Sequence, residues 1–435
     1  MVNRSDQRVT ATNKIFPIIL LVAMMINTER VQAYSYPFDD PYVATIFGTP
    51  DELKAPIPEN IPVKTYKLNL HPERDIPGVF WFNKRLHFSF AMQKDKDAPL
   101  MVILAGTGAN HDSIIVKKLK RVFYGAGFHI LALPSPTHPS FIVAGSETSV
   151  PGYVDQDVHD LEWALKAALE EVQEAITPVA INLCGYSLGA FHAAFLAERD
   201  ARQKTLGFSN VIMINPPMSL YSSAMILDRM LEENIPGGLD NVHAFVEEVF
   251  EAISEVYGYT PNGGNISIRD LLYEAYKRRN PPPERLAALI GIAFRISSAD
   301  MAFTADVMSQ SNYVVPRDDL PGITDSLTEF YRVLFKLGFN EYAKGLYLPY
   351  YQKQFPDISI QNLIEDQSLE RLAPFLEKAS YIYLFHNADD IIMSPGEISY
   401  LKNIFGDRAV IYPKGGHCGN IDFHQNVTDM LEVLK

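Results

Sequence analysis

The chain has 435 residues, more than one ordinary domain, and its 47% hydrophobic against 21% charged content is that of a globular protein with a large core. A formal net charge of −14 excludes a role in tracking nucleic acid or an anionic bilayer, since both need a basic surface. Acidity of this size does not name a substrate.

Residues 1–33 read as a signal peptide. Arg4, Arg8 and Lys14 form a basic start, residues 15–26 an apolar stretch, and Val31-Gln32-Ala33 a small-residue cleavage site ahead of Tyr34. That stretch is well short of the roughly twenty residues a bilayer requires. A secreted or periplasmic product with no stable membrane span is therefore expected.

Residues 34–62, rich in proline and aspartate, read as an extended arm. Strands are expected over 63–70, 86–92 and 100–104, the last (L-M-V-I-L) leading into Ala105-Gly106-Thr107-Gly108-Ala109. The pattern predicts a helix over 116–124 and a strand over 129–133 (H-I-L-A-L). A second helix carries Leu161, Leu165, Leu169 and Val172 on one face.

Next comes the motif with the most chemistry in it. Residues 179–184 are an apolar run, Gly185-Tyr186-Ser187-Leu188-Gly189 reads G-x-S-x-G, and residues 189–197 are amphipathic. Strand, glycine-flanked turn and helix make a nucleophile elbow. The turn strains the serine backbone, the glycines let strand and helix pass closely, and the hydroxyl stands at the carboxyl edge of a sheet. A further strand over 211–214 ends in Asn215-Pro216-Pro217, without a carboxylate. The alternation predicts an α/β fold with a mostly parallel sheet covered by helices on both faces.

Over 218–378 helical periodicity replaces that alternation. Val242, Phe245, Val246, Val249, Phe250, Ile253 and Val256 share a helix face, and Ser267-Ile268-Arg269-Asp270 resembles an N-terminal cap. Pro281-Pro282-Pro283 opens another helix, and Leu327, Phe330, Tyr331, Leu334 and Phe335 form a stripe that ends at Gly338. An insertion of this size after the sixth strand reads as a helical cap over the serine.

The core of alternating strands and helices is expected to resume over 379–435. Residues 381–385 (Y-I-Y-L-F) form a strand that ends in His386-Asn387-Ala388-Asp389-Asp390. Residues 409–412 form another, followed by Pro413-Lys414-Gly415-Gly416-His417. Serine, then acid, then histidine is the chain order expected of such an elbow. Free serine is a poor nucleophile, so His417 is expected to take the Ser187 proton. Asp389 is expected to fix the His417 tautomer. Asp390, ahead of Ile391-Ile392, is expected to cap the following turn. The two glycines before His417 predict a mobile loop. By position, the N–H groups of Thr107 and Leu188 are expected to form the oxyanion hole.

In these motifs the chain resembles the α/β-hydrolase superfamily, of the lipase, esterase and serine-peptidase kind, over residues 63–217 and 378–435. The resemblance implies a Ser187–Asp389–His417 triad that acts on a small-molecule ester or lipid-like substrate. The simplest such substrate is a carboxylic ester with an apolar acyl part. Some relatives carry the acid after the strand that follows the elbow helix, where this chain has Asn215. The A-G-T-G loop departs from the His-Gly of many relatives.

Two other readings stand beside this one. An aminopeptidase or amidase would need a carboxylate in the cap, for which Glu232, Glu233, Glu247 and Glu248 are available. A binding protein would carry the same residues idle. No cofactor is expected, because no group of residues has metal-ligand spacing and no phosphate-cradling loop is present. Cys184 and Cys418 are expected as free buried thiols, and His192 as packing beneath the elbow. His111 and His386 are expected near the edge of the site.

Overall fold

Eight strands form one sheet: β1 (Val63–Leu68), β2 (Leu86–Ala91), β3 (Leu100–Leu104), β4 (His129–Leu133), β5 (Ile181–Tyr186), β6 (Phe208–Ile214), β7 (Ile382–Asn387) and β8 (Ala409–Tyr412). Their order is β1-β2-β4-β3-β5-β6-β7-β8. β2 runs antiparallel to both neighbours, and every other pairing is parallel. The computed structural model describes residues 34–258, 273, 276 and 281–435, so the expected signal peptide and the Ser267–Asp270 cap lie outside the described residues.

Burial explains the order. Every residue of β3 and β4 is buried, as the apolar runs L-M-V-I-L and H-I-L-A-L require of strands covered on both faces. β1 keeps most of its residues in contact with solvent and takes the edge, where Lys64 and Lys67 discourage further strand pairing. The elbow helix, Leu188–Gln203, packs Ala190, Ala193, Ala194 and Ala197 against the sheet, small side chains that permit close approach.

The register then gathers the loops. Leu104 pairs with Gly185, Tyr186 with Ile214, Ile214 with Phe385, and Asn387 with Tyr412. The chain segments that follow β3, β5, β6, β7 and β8 therefore emerge together at one sheet edge. In open parallel sheets that edge carries the site.

Residues 34–62 are not an extended arm. Asp40 accepts from the Tyr42 and Val43 N–H groups and caps a helix, Pro41–Phe47, whose first residue is a proline with φ already set. Tyr36 is buried edge-on against Phe423, with ring centroids 5.4 Å apart. Proline and aspartate had read as loop formers here, yet they are equally the residues that start helices.

The insertion after β6 closes at a narrow neck. Leu369 N–H donates to Met218 O at 2.9 Å, Leu220 N–H to Gln367 O at 3.1 Å, and Ser219 bridges Ser368. The excursion therefore ends near residue 367, because Leu369, Leu372 and Leu376 already pack in the core of the sheet. Its main helices are Leu220–Glu232, Val242–Gly258 and Pro283–Ser309. Three tyrosines tie it down: Tyr342, Tyr347 and Tyr351 donate to the carbonyls of Pro151, Gly152 and Val150 at 2.9, 3.2 and 2.9 Å. Tyr36–Lys435 is accordingly one compact unit.

Helix Pro283–Ser309 is long and apolar enough to cross a membrane, but 61% of its most apolar stretch is buried inside the protein. It also carries Arg295, fully buried. The guanidinium donates to Asp228 at 2.8 Å, Glu232 at 3.0 Å and Phe335 O at 3.0 Å, while Asp228 also accepts from Phe339 N–H. Removing one partner of a buried ion pair leaves the other charge desolvated, at a cost of about 3–5 kcal/mol. Arg295→Met is expected to destabilise the protein by that amount in equilibrium denaturation. A loss below about 1 kcal/mol would mean that Asp228 is readily rehydrated.

Candidate active site

Ser187 sits at the turn between β5 and the elbow helix with φ 52° and ψ −127°, a backbone conformation that non-glycine residues rarely adopt. Its N–H donates to Ile214 O at 2.9 Å, which holds the turn against β6. The flanking glycines are a steric necessity. A Cβ on Gly185 would lie 2.1 Å from Gly189 O, and one on Gly189 would lie 2.3 Å from Leu104 O. Strand, turn and helix close only without side chains at these two positions.

His417 is brought over the serine by the loop after β8. Its Nε2 lies 2.9 Å from Ser187 Oγ, and its Nδ1 lies 3.0 and 3.1 Å from the two carboxylate oxygens of Asp390. In the tautomer this arrangement favours, Nδ1–H donates to Asp390 and Nε2 accepts the serine hydroxyl.

The carboxylate that faces His417 is therefore Asp390, where the sequence predicts Asp389. Asp390 is buried and also accepts from Asn215 Nδ2 at 2.7 Å and Ile392 N–H at 3.1 Å. Its turn-capping bond to Ile392 is real, but it leaves room for the imidazole. Asp389 instead accepts from the Gly415 and Gly416 N–H groups at 3.1 and 2.9 Å. Each carboxylate thus serves the same histidine, one through its ring and one through the backbone before it.

The same contacts give the two glycines before His417 a reason other than the mobility expected of them. Gly415 has φ 151° and Gly416 φ 57°; a Cβ on Gly415 would meet Asn420 Nδ2 at 2.3 Å, and one on Gly416 would meet Pro41 O at 2.3 Å. The glycines are there for close packing and positive φ. His417 N–H donates to Thr45 Oγ1 at 2.9 Å, so the N-terminal helix braces the loop. Thr45 had no signal in the sequence. Asn215 had one: a polar side chain at the strand end where some relatives place the acid.

Electrostatics follow from this packing. Burial pushes the Asp390 carboxyl up, but the His417 charge and hydrogen bond outweigh it and hold the group below its ordinary value. Burial likewise opposes the imidazolium, yet the Asp390 carboxylate overrides it and raises His417 well above 6.5. Asp389 is raised by burial, which its two backbone N–H partners offset only in part.

Ser187, Leu188 and Thr107 line one cavity of about 100 Å³. Leu188 is the first residue of the elbow helix, where N–H groups lack helical partners, and the turn after Thr107 is fixed by Gly108 N–H donating to Thr137 Oγ1 at 2.9 Å. The insertion supplies much of the remaining wall, including Leu227, Met301, Phe339 and Leu363.

His386 does lie near the site, its Nε2 3.8 Å from Asp390 Oδ2, but it and the other expected neighbours stay off the cavity wall. His386 is fully buried and directed at Pro216 O, and His111 bonds Ser89 Oγ at 2.7 Å; neither lines the cavity. Glu232 is engaged by Arg295 and Glu248 by Arg285, and Glu233 and Glu247 are exposed. His192 is fully buried on the elbow helix. Cys184 and Cys418 are free buried thiols, and burial pushes the Cys184 thiol far up. Away from the cleft, Glu147, His159 and Asp160 place one ligand atom each within 4.8 Å of one another. Gln156 Nε2 donates to both carboxylates, and the Arg74 charge lies beside them.

No protein-family model and no curated protein sequence matches the chain. Among solved structures it is similar to a Legionella pneumophila protein assigned as a hydrolase, at 12% identity over 87% of this chain and 91% of that one, with TM-score 0.46. It is also similar to an esterase of Pyrococcus furiosus (10%, 88% and 96%, TM-score 0.40) and to the thioesterase domain of the curacin biosynthetic pathway (10%, 86% and 100%, TM-score 0.38). Each TM-score is below 0.5, so the assignment stands on this chain's own strand order and loop placement. By those, the chain has the α/β-hydrolase fold.

Proposed function

We propose that this protein is a serine hydrolase that cleaves a carboxylic ester with an apolar acyl group. The observation that carries the reading is the hydrogen-bonded line Ser187–His417–Asp390 opening onto an apolar cavity. His417 Nε2 takes the hydroxyl proton as Oγ attacks the ester carbon. The N–H groups of Thr107 and Leu188 receive the oxyanion. His417 then returns the proton to the leaving alcohol, and the acyl group remains on Ser187. Water, deprotonated by the same imidazole, releases the acid. The basic, apolar N-terminal segment supports action outside the cytoplasm.

A fluorophosphonate probe with a series of acyl esters tests this reading. Labelling with ester turnover supports it; labelling with amide turnover alone would favour the amidase reading. Neither labelling nor turnover would leave an idle site and overturn it. The pH profile carries the electrostatics. The base must be neutral, and Asp390 stabilises the charged imidazole, so kcat/KM is expected to rise with pH along a limb centred above 6.5. A limb centred below 6 would contradict the raised His417.

A further inference from the structure

The wall of the cavity over Ser187 is mostly apolar, and it includes one carboxylate. Asp157, on the first turn of helix Val154–Val172, is part of the wall with Pro151, Gly152 and Tyr347. Asp157 is only 3% exposed. Its Oδ2 accepts the Gly152 N–H at 2.9 Å and lies 3.6 Å from His192 Nε2. Among the described residues, Oδ1 has no hydrogen-bond partner.

Two further side chains share this imbalance. His192 is fully buried, and neither ring nitrogen has a hydrogen-bond partner. Gln367 is 4% exposed and lines the same cavity; its Oε1 accepts Val154 N–H at 2.6 Å, while its Nε2 has no partner. Three other polar side chains on the wall are satisfied internally: Ser223 donates to Ile392 O, Ser297 to Ala293 O and Tyr221 to Asn340 Oδ1. Unmet hydrogen-bonding capacity in a buried site is costly, and here a buried imidazole and a buried amide NH₂ without partners stand beside the start of the helix that carries Asp157.

We propose that Asp157, with Gln367 and His192 around it, is a polar subsite that selects an acyl chain bearing a hydrogen-bond donor, either a hydroxyl or an ammonium. The inference rests on the hydrolase reading and names its substrate class. Asp157 bonds Gly152 and not any group of the Ser187–His417–Asp390 line, so the donor it would receive belongs on the chain and not at the reacting carbonyl. A site built to bond an O–H or N–H discriminates strongly against the analogue without it, because its own groups are then left unpaired. Asp157 is a specificity-determining residue in this scheme and takes no part in the proton transfers.

The test compares esters of one alcohol with acyl chains of equal length that are plain, hydroxylated or aminated. Wild-type kcat/KM is expected to favour a donor-bearing chain over the plain one by about tenfold or more. In Asp157→Asn the amide oxygen stays on Gly152 N–H, which turns an NH₂ toward the cavity in place of an acceptor. The preference is then expected to collapse toward unity, completely for an ammonium and in part for a hydroxyl, which is able to accept instead. Plain-chain turnover with no wild-type preference would overturn the subsite and leave the hydrolase reading intact. An equal fall on all three esters in Asp157→Asn would also overturn it, by reducing Asp157 to a support for Gly152. Absence of both labelling and turnover would remove the reading and the subsite together.

Discussion

Ser187→Ala is expected to abolish ester turnover and fluorophosphonate labelling together, in a protein that remains folded. Alanine keeps the Cβ, so the backbone at φ 52° is no more strained than before, and the Ile214 carbonyl still receives the residue's N–H. What disappears is, among the described residues, the only hydroxyl within hydrogen-bonding distance of His417 Nε2. In a comparable serine enzyme, losing the nucleophile costs on the order of 10⁶ in kcat, with the remainder supplied by binding and the oxyanion site. Circular dichroism and the thermal midpoint should match wild type, which separates lost chemistry from lost fold. Turnover within a few fold of wild type in the purified variant would refute a serine mechanism.

Much of this was legible because sequence patterns and backbone sterics coincide. The apolar runs of β3, β4 and β5 announced buried parallel strands, and G-x-S-x-G announced a turn that tolerates nothing larger than glycine on either side. The helical periodicity after β6 announced the insertion. Its neck was not legible, since Met218 and Leu369 pair across about 150 residues and nothing local marks either one. The same holds for the brace on His417: Thr45 and Gly416 meet only once the chain has folded. Asp157 was hidden for a simpler reason. An aspartate in the first turn of a helix ordinarily serves the helix dipole, and only the cavity beside it suggests another use.

Asp390→Asn is expected to lower kcat by about 10⁴-fold, whereas Asp389→Asn should lower it by about tenfold or less. Adjacent carboxylates in one loop cannot be told apart by composition; the direction of each side chain decides. Asp390 faces His417 Nδ1 and Asn215 Nδ2 at once, and both are donors. An asparagine there has one oxygen for the two, and its NH₂ group must point at one of them. If that donor faces the imidazole, the ring is driven into the tautomer with the proton on Nε2, which is unable to accept from Ser187. The change also removes the charge that raises His417, so the acid limb of any residual activity should move to lower pH. Asp389→Asn retains an acceptor for one of the Gly415 and Gly416 N–H groups and leaves the ring's own partner untouched. Its main effect should be a less stable loop, by about 1–2 kcal/mol, since hydrogen bonds to a charged acceptor contribute on that order. Steady-state kinetics on both variants with a pH profile on the first decides the matter. A larger kcat loss at Asp389 than at Asp390, or an unmoved limb in Asp390→Asn, would mean that the imidazole is oriented by something other than the carboxylate facing it.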